Sequence, residues 1–244
     1  MSDVRPGTSF VAIVAARLDS RRLPGKMLLR IGDRPLFDIV ARRARSIHGV
    51  AAVVMATTDR AVDDPLAEAA ADAGYAIFRG STDDVAGRLL ACARQFDTAY
   101  LVRINGDSPF VDAPLIDKGI GLARESGADL VTNIAGRTFP YGVSVEIVRT
   151  DTLARAHAAM DAAEREHVTA WFYRPARDAE GVVVRAIRDE PAAFAGARLV
   201  VDDRADYDWL CGVHRELGDA CFSMRYTELP PHLLRFGIHQ AGIS

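Results

Sequence analysis

The sequence predicts an α/β fold in which helices cover both faces of a mostly parallel sheet, and three observations carry that prediction. Apolar runs of strand length alternate with segments of helical period along the first half of the chain, the pattern of right-handed βαβ crossovers. The 244 residues are 49% apolar, enough to bury one large core, and neither a Pro/Gly/Ser-rich linker nor an internal repeat divides them. The third observation is that most of the strand-like runs end in charge or glycine, and in open α/β sheets ligands sit at the carboxyl ends of strands.

The elements follow in order. FVAIVAA (10–16) reads as a strand and PLFDIVARRARSI (35–47) as its helix; AAVVMATT (51–58) pairs with DPLAEAAADAG (64–74), and AIFRG (76–80) with DDVAGRLLACARQF (83–96). AYLVRING (99–106), PLIDKGIGLARESG (114–127) and ADLVTNI (128–134) continue the alternation. After about residue 135 the pattern loosens. YGVSVEIV (141–148) reads as a strand, residues 151–173 as one or two helices, and VVVRAI (182–187) and ARLVVD (197–202) as further strands that elaborate the same sheet.

Bulk properties exclude several classes. A net charge of −3 argues against a generally basic surface that binds nucleic acid. FVAIVAA is too short to span a bilayer and the polar residues before it lack the basic start of a signal peptide, so a cytoplasmic protein is expected. Cys92, Cys211 and Cys221 are odd in number and show no CxxC spacing, which indicates neither a disulfide framework nor a zinc site.

The strand ends to examine are 15–26, 56–59, 78–84, 103–109, 132–142 and 200–206. The first, AARLDSRRLPGK, concentrates Arg17, Arg21, Arg22 and Lys26. It is no Walker loop, because Ser20 stands where the first Gly is needed and Met27 follows the Lys; the dinucleotide fingerprint is absent too, since Gly119 and Gly121 lie within a helical pattern. Several cations around a backbone opened by Gly25 still suit a polyphosphate, each Arg chelating oxygens and the Lys acting as a mobile point charge. The alternative is a solvated loop whose arginines pair with nearby carboxylates.

The segment ARLDSRRLPGKML, followed in order by ATTD, FRGSTDDVAGR, VRINGDSPFVD, FPYGVSVEI, EREHVT and LVVDDRADYDWL, resembles the CMP-sugar synthetases, the cytidylyltransferases that activate acidic sugars, and within them the SpsF-like branch. Seven motifs in family order are specific where one would be weak. The resemblance implies a Rossmann-like nucleotidyltransferase fold of the three-layer GT-A-like kind, formed by residues 1–244 as one domain, with the part from about 135 on shaping the acceptor side and dimer contacts. It implies a cytoplasmic homodimer that uses CTP and Mg²⁺, and a small-molecule acceptor, an acidic sugar or a related compound.

In such a reaction an acceptor oxygen attacks the α-phosphorus of CTP and pyrophosphate leaves, so charge accumulates on phosphate oxygens. Arg17, Arg21 and Lys26 are the candidates to neutralise it, with Arg22 a further one. By resemblance Asp107 and Asp202 hold Mg²⁺, which wants one or two carboxylates beside substrate phosphates; Asp107 could instead serve as a helix cap or turn residue, and Asp203 or Asp206 could replace Asp202. Nucleotide contacts are implied for Ala15, Ala16, Ser20, Thr58, Asn105 and Gly106. Ser81 and Arg88 are assigned to the cytosine, with Asp84 orienting Arg88; the alternative, compatible with the first, is that Ser81 caps a helix with Asp84 at its third position. Tyr141, Glu146, Glu166 and His167 are placed at the acceptor; the spacing of Glu164 and His167, a single half motif, is poor evidence for a two-metal centre. One departure bears on the acceptor: SpsF-like chains usually carry Gly-Leu-Asp-Val-Glu where this one has Gly142-Val143-Ser144-Val145-Glu146. A glycosyltransferase using Asp202 and Asp203 as its acidic pair, and a nucleotide-binding subunit without catalysis, are the competing readings.

Overall fold

A computed structural model of the chain describes residues 9–135, 138–174, 181–188, 194 and 196–236. Gly136 and Arg137 of the 132–142 strand end, and the first eight residues, lie outside the described residues. The chain opens with β1 (Phe10–Ala15), a short hairpin of β2 (Arg30–Ile31) and β3 (Arg34–Pro35), and α1 (Leu36–Arg45). There follow β4 (Ala52–Thr58), α2 (Asp64–Asp72), β5 (Ala76–Gly80), α3 (Val85–Gln95), β6 (Tyr100–Asn105), α4 (Ala113–Ser126) and β7 (Leu130–Thr132). The second half adds β8 (Glu146–Arg149), α5 (Thr150–Ala159), α6 (Ala162–Glu166), β9 (Val184–Ala186) and α7 (Arg204–Leu217).

Among the described residues the main sheet has seven strands in the order β5-β4-β1-β6-β8-β7-β9. All neighbours are parallel except β8, which runs against both β6 and β7. Side chains along β1 alternate between two cores. Phe10, Ala12 and Val14 face the side of α1, α4 and α7, while Val11 and Ile13 face α3 and α5. A strand buried on both faces reads as the continuous apolar run seen in the sequence, and the result is three layers.

Three expectations are corrected here. Residues 197–202 are extended but form no ladder, because their backbone groups serve separate partners: Ala197 O accepts from Tyr141 N at 2.8 Å, Arg198 N donates to Arg235 O at 2.8 Å and Val201 N donates to Asp107 O at 2.8 Å. The 141–148 strand begins only at Glu146, since Val143 N turns back to Pro140 O. The cap of α3 is Asp84, whose carboxylate accepts from Gly87 N at 2.7 Å; Ser81 Oγ in turn accepts from Asp84 N at 3.2 Å, so the cap lies three residues later than a Ser81 start.

Gly142 explains why residues 141–142 and 197–199 lie so close. Its φ is +99°, and a Cβ there would stand 2.4 Å from Leu199 O and 2.7 Å from Leu199 C. Both the dihedral and the space favour glycine, and the obstructing atoms are backbone that cannot swing away. Gly142→Ala is therefore expected to destabilise the protein by about 2 kcal/mol or more, read as a lowered midpoint in urea unfolding; an unchanged midpoint would refute the close approach.

Candidate active site

β1 has β4 on one side and β6 on the other, so the strand order reverses beside it; in open α/β sheets the carboxyl ends of the strands at such a reversal, here β1 and β6, are where the ligand crevice lies. The loops that leave these two strands are in contact. Gly106 N donates to Ala15 O at 2.9 Å, and a Cβ at Gly106 would stand 2.8 Å from the Ala16 Cβ, 3.0 Å from Ala15 O and 3.0 Å from the Met27 side chain. A side chain at 106 would push the cationic loop off the β6 end.

That loop is tied down at three points. Ala16 N donates to Ala56 O, Leu18 N donates to Asp63 Oδ1 at 2.6 Å, and Gly25 N closes back on Leu18 O at 2.8 Å. Asp63 is fully buried and also accepts the Thr58 hydroxyl. Thr58 is itself buried, so its side chain acts behind the loop rather than in the crevice. Asp63 was missed in the sequence; its only sign there is a carboxylate just beyond ATTD, at the start of a helix where an acidic residue is ordinary.

The loop's cations are deployed unequally. Arg17 pairs with Asp19 at 3.3 Å, and Asp19 also takes Arg60. Arg21 is exposed and has no hydrogen-bond or ion-pair partner among the described residues. Arg22 donates to Asp202 Oδ2. Lys26, 7% exposed, starts a 3-10 turn and sends its Nζ to Asp107 Oδ2 at 2.9 Å, Val201 O at 3.0 Å and Asp202 Oδ1 at 3.3 Å. Asp107 and Asp202, far apart in sequence, thus meet on one ammonium group.

The alternatives for these carboxylates are decided by their partners. Asp112, not Asp107, caps α4, accepting from Leu115 N at 2.9 Å. Asp203 caps α7, accepting from Asp206 N at 2.9 Å. Asp206 is fully buried; it takes Arg198 on both oxygens at 3.0 and 2.6 Å, Arg235 at 2.9 Å and the backbone N–H of Asp202 at 2.9 Å. Asp206 is thus committed to Arg198, Arg235 and the backbone of Asp202, which it holds in place, while Asp203 spends one oxygen on the cap of α7.

Asp107, Asp202 and the Val201 carbonyl are hard oxygen donors turned toward a single cation. No cluster of three or more His, Cys, Asp or Glu groups able to hold a metal exists among the described residues. Two carboxylates with room for phosphate oxygens and water suit Mg²⁺ and not a closed protein cage, so the donor set fits that ion.

On the side of the loop near Arg17 and Asp63, Arg88 is 4% exposed, gives Nη1 to Ser81 O at 2.7 Å and leaves Nε without a partner. Burial, then the neighbouring Arg17 charge, pulls its pKa below the ordinary guanidinium value, partly offset by Asp63, Asp59 and Asp84. The Asp84 carbonyl accepts the Arg88 backbone N–H at 2.9 Å, but its carboxylate does not bond the Arg88 guanidinium; it pairs with His157 Nε2 at 2.7 Å. Ser81 is exposed, Ser20 and Asn105 are half-buried.

On the other flank Tyr141, 43% exposed, packs under Arg198, 5.3 Å from guanidinium to ring centre, and its phenol is pushed up first by partial burial and then by the Asp202 and Asp107 carboxylates. Glu146 is fully buried and bonded by Arg103 and by Thr169 Oγ1. Glu166 and His167, at the end of α6, are exposed, and Glu164 is taken by Arg174 and by its own capping box. The half motif therefore holds no metal pair.

A three-layer α/β sheet whose switch-point crevice sets a cation-rich loop against two convergent carboxylates has the architecture of a nucleotidyltransferase. The cytidylyltransferase family model matches residues 11–194, and the chain belongs to that family, an enzyme of the CTP-dependent nucleotidyltransferase class. It is 29% identical over 216 residues to the spore coat polysaccharide biosynthesis protein SpsF of Bacillus subtilis, covering 85% of this chain and 87% of that one. A 3-deoxy-manno-octulosonate cytidylyltransferase from Aeromonas hydrophila is 29% identical over 232 residues, covering 93% and 81% respectively. The structure of a cytidylyltransferase from Leptospira borgpetersenii superposes with a TM-score of 0.78 at 27% identity, covering 86% of this chain and 87% of that one.

Proposed function

We propose that this protein transfers CMP from CTP to an oxygen of a small acidic acceptor, a sugar acid or a related compound, with Mg²⁺ held by Asp107 and Asp202. The observation that carries the reading is the meeting of these two carboxylates on Lys26 Nζ, at 2.9 and 3.3 Å, at the foot of the loop that also bears Arg17, Arg21 and Arg22. In this reading an acceptor hydroxyl gives its proton to solvent as its oxygen bonds to the α-phosphorus, the bond to the bridging oxygen breaks, and that electron pair and charge leave with pyrophosphate. Arg17, Arg21 and Lys26 neutralise that leaving group, and the backbone at Ala15, Ala16, Ser20, Asn105 and Gly106 lines the nucleotide. Bound Mg²⁺ supplies charge neutralisation and alignment of phosphate oxygens.

Arg88 is the strongest candidate for cytosine, because its Nε and remaining guanidinium donors are desolvated at the crevice wall, and Ser81 and Asp84 hold its loop. Thr58 supports the loop through Asp63. Tyr141 and Glu146 border the acceptor side; Glu166 and His167 reach it only if the acceptor extends over α6. The Ser144 position, where the resembling family carries a carboxylate, puts the difference from SpsF-like enzymes in the acceptor. A cytoplasmic homodimer remains part of this proposal. No helix among the described residues is long and apolar enough to cross a membrane. The glycosyltransferase alternative would need Asp203 to serve both as the cap of α7 and as half of an acidic pair, and it leaves the cation-rich loop unexplained.

The reading is tested by pyrophosphate release with each of the four NTPs against acidic sugars and phosphorylated or phosphonate acceptors; release with CTP alone supports it, and none with CTP, or equal release with all four, overturns it. In the same protein, CTP with Mg²⁺ should raise the Tm, binding at a hundred times Kd adding about 2.7 kcal/mol to the folded state. ATP and GTP should raise it much less. Equal shifts would remove cytosine recognition.

A further inference from the structure

The surroundings of Lys26 have a consequence for the order in which ligands bind. An ammonium group has three N–H donors, and all three are spent on Asp107 Oδ2, Val201 O and Asp202 Oδ1. While it stays there, it has no donor to offer a phosphate. The second oxygen of Asp202 is taken by Arg22, and the Asp202 side chain is only 11% exposed. Two carboxylates this close to one another repel unless a cation lies between them. Here that cation is Lys26 Nζ.

A divalent ion bridging the same carboxylates needs oxygen distances of about 2.1 Å, and so needs the space between them that the ammonium fills. Two cations a few ångströms apart in a shielded site repel strongly, so the ammonium and the metal exclude each other. The backbone of Lys26 is fixed: its N–H donates to Leu23 O at 3.2 Å, and Gly25 before it is held at φ 71°. The side chain is a flexible four-carbon stem that can redirect its charge without moving the loop. A triphosphate in the crevice offers it several anionic oxygens at once.

We propose that Lys26 is a built-in placeholder cation, which keeps divalent metal off the Asp107–Asp202 pair until a triphosphate draws the ammonium away. This rests on the reading of that pair as the metal ligands. It makes metal and nucleotide binding mutually favourable, because each is linked to the same displacement of one side chain, and by linkage each strengthens the other equally. It also gives Lys26 two positions in the cycle, on the carboxylates before substrate arrives and on phosphate oxygens afterwards.

The test uses Mn²⁺ alone as a spin probe on the full chain without nucleotide, free ion being counted by electron paramagnetic resonance. Wild type should bind Mn²⁺ weakly. Lys26→Met and Lys26→Gln should bind it about tenfold or more tightly, the scale of removing a like charge from contact distance. Lys26→Arg, which keeps the charge, should remain as weak as wild type. Adding Asp107→Asn to Lys26→Met should abolish the gain. Lys26→Gln keeps a hydrogen-bond donor between the two carboxylates, so it serves if the Met variant folds poorly. Affinities for Lys26→Met and Lys26→Gln equal to that of wild type would overturn the proposal, as would a gain that survives Asp107→Asn, since the ion would then sit elsewhere. The parent reading fails separately: a gain in Mn²⁺ affinity in a protein that releases no pyrophosphate from CTP would leave the cation exchange standing and remove the reaction.

Discussion

Asp206→Ala is expected to lower the stability of the protein by about 3 kcal/mol or more, the scale of removing one partner from a buried ion pair. The carboxylate is fully buried, and it receives both arms of Arg198, a bond from Arg235 and the N–H of Asp202. Truncation leaves two guanidinium groups and a backbone donor without their acceptor, and it undoes the capping box that starts α7. Burial pushes the Asp206 pKa up, but the Arg198 hydrogen bond, the Asp202 N–H and the charges of Arg198 and Arg235 outweigh it, so the folded value lies below the ordinary 3.8. A depressed folded pKa contributes stability that is present in full above the unfolded value and lost as pH falls through the folded one. The difference between wild type and variant should therefore hold at neutral pH and shrink on acidification below 3.8. Urea titrations at several pH values measure it; a difference under about 1 kcal/mol at pH 7 would mean that the cluster is an ordinary surface pair.

Asp107→Asn and Asp202→Asn should each cut turnover by about a hundredfold or more, the usual scale of one lost electrostatic contribution to the transition state. Size and shape are kept, and Arg17 and Arg21 remain, so CTP should still bind. The double variant should be far less than multiplicatively worse, because residues that serve one ion act as a unit. Turnover across a Mg²⁺ titration in the four proteins separates the cases. Fully multiplicative losses with an unchanged Mg²⁺ requirement would show that the two carboxylates do not share an ion.

Much of this architecture is legible in the sequence because the physics that shapes it is local. Strands buried on both faces must be apolar throughout, so FVAIVA and LVT stand out, and polar residues gather where such strands leave the sheet. Asp107 stands at such an exit, just past β6, whereas Lys26 is marked by the charge concentrated in its loop and Asp202 by the resemblance. What could not be read depends on partners far along the chain. The direction of β8, the failure of 197–202 to join the sheet, and the division of labour among Asp202, Asp203 and Asp206 are all fixed by which backbone and guanidinium groups arrive from elsewhere. Asp63 is the sharpest case. Its neighbours in sequence mark it as a helix-start carboxylate, and only the return of Leu18 and Thr58 makes it the anchor of the cationic loop.

The sheet order also dictates a timetable for a chain made from its N-terminus. Synthesis proceeds at about 5–20 residues per second and domains fold as they emerge. β1 precedes both of its partners and meets β4 first, but its other edge stays open until Tyr100–Asn105 follow. β6 then waits for Glu146–Arg149, and an unpaired edge is a template for pairing with another chain. Lys26 and Asp107 are both present by that stage, whereas Val201 and Asp202 come only after the last strand of the sheet. A nascent or truncated chain can therefore own most of its sheet and still lack the meeting of Lys26 with Val201 and Asp202, which waits for the segment that leads into α7.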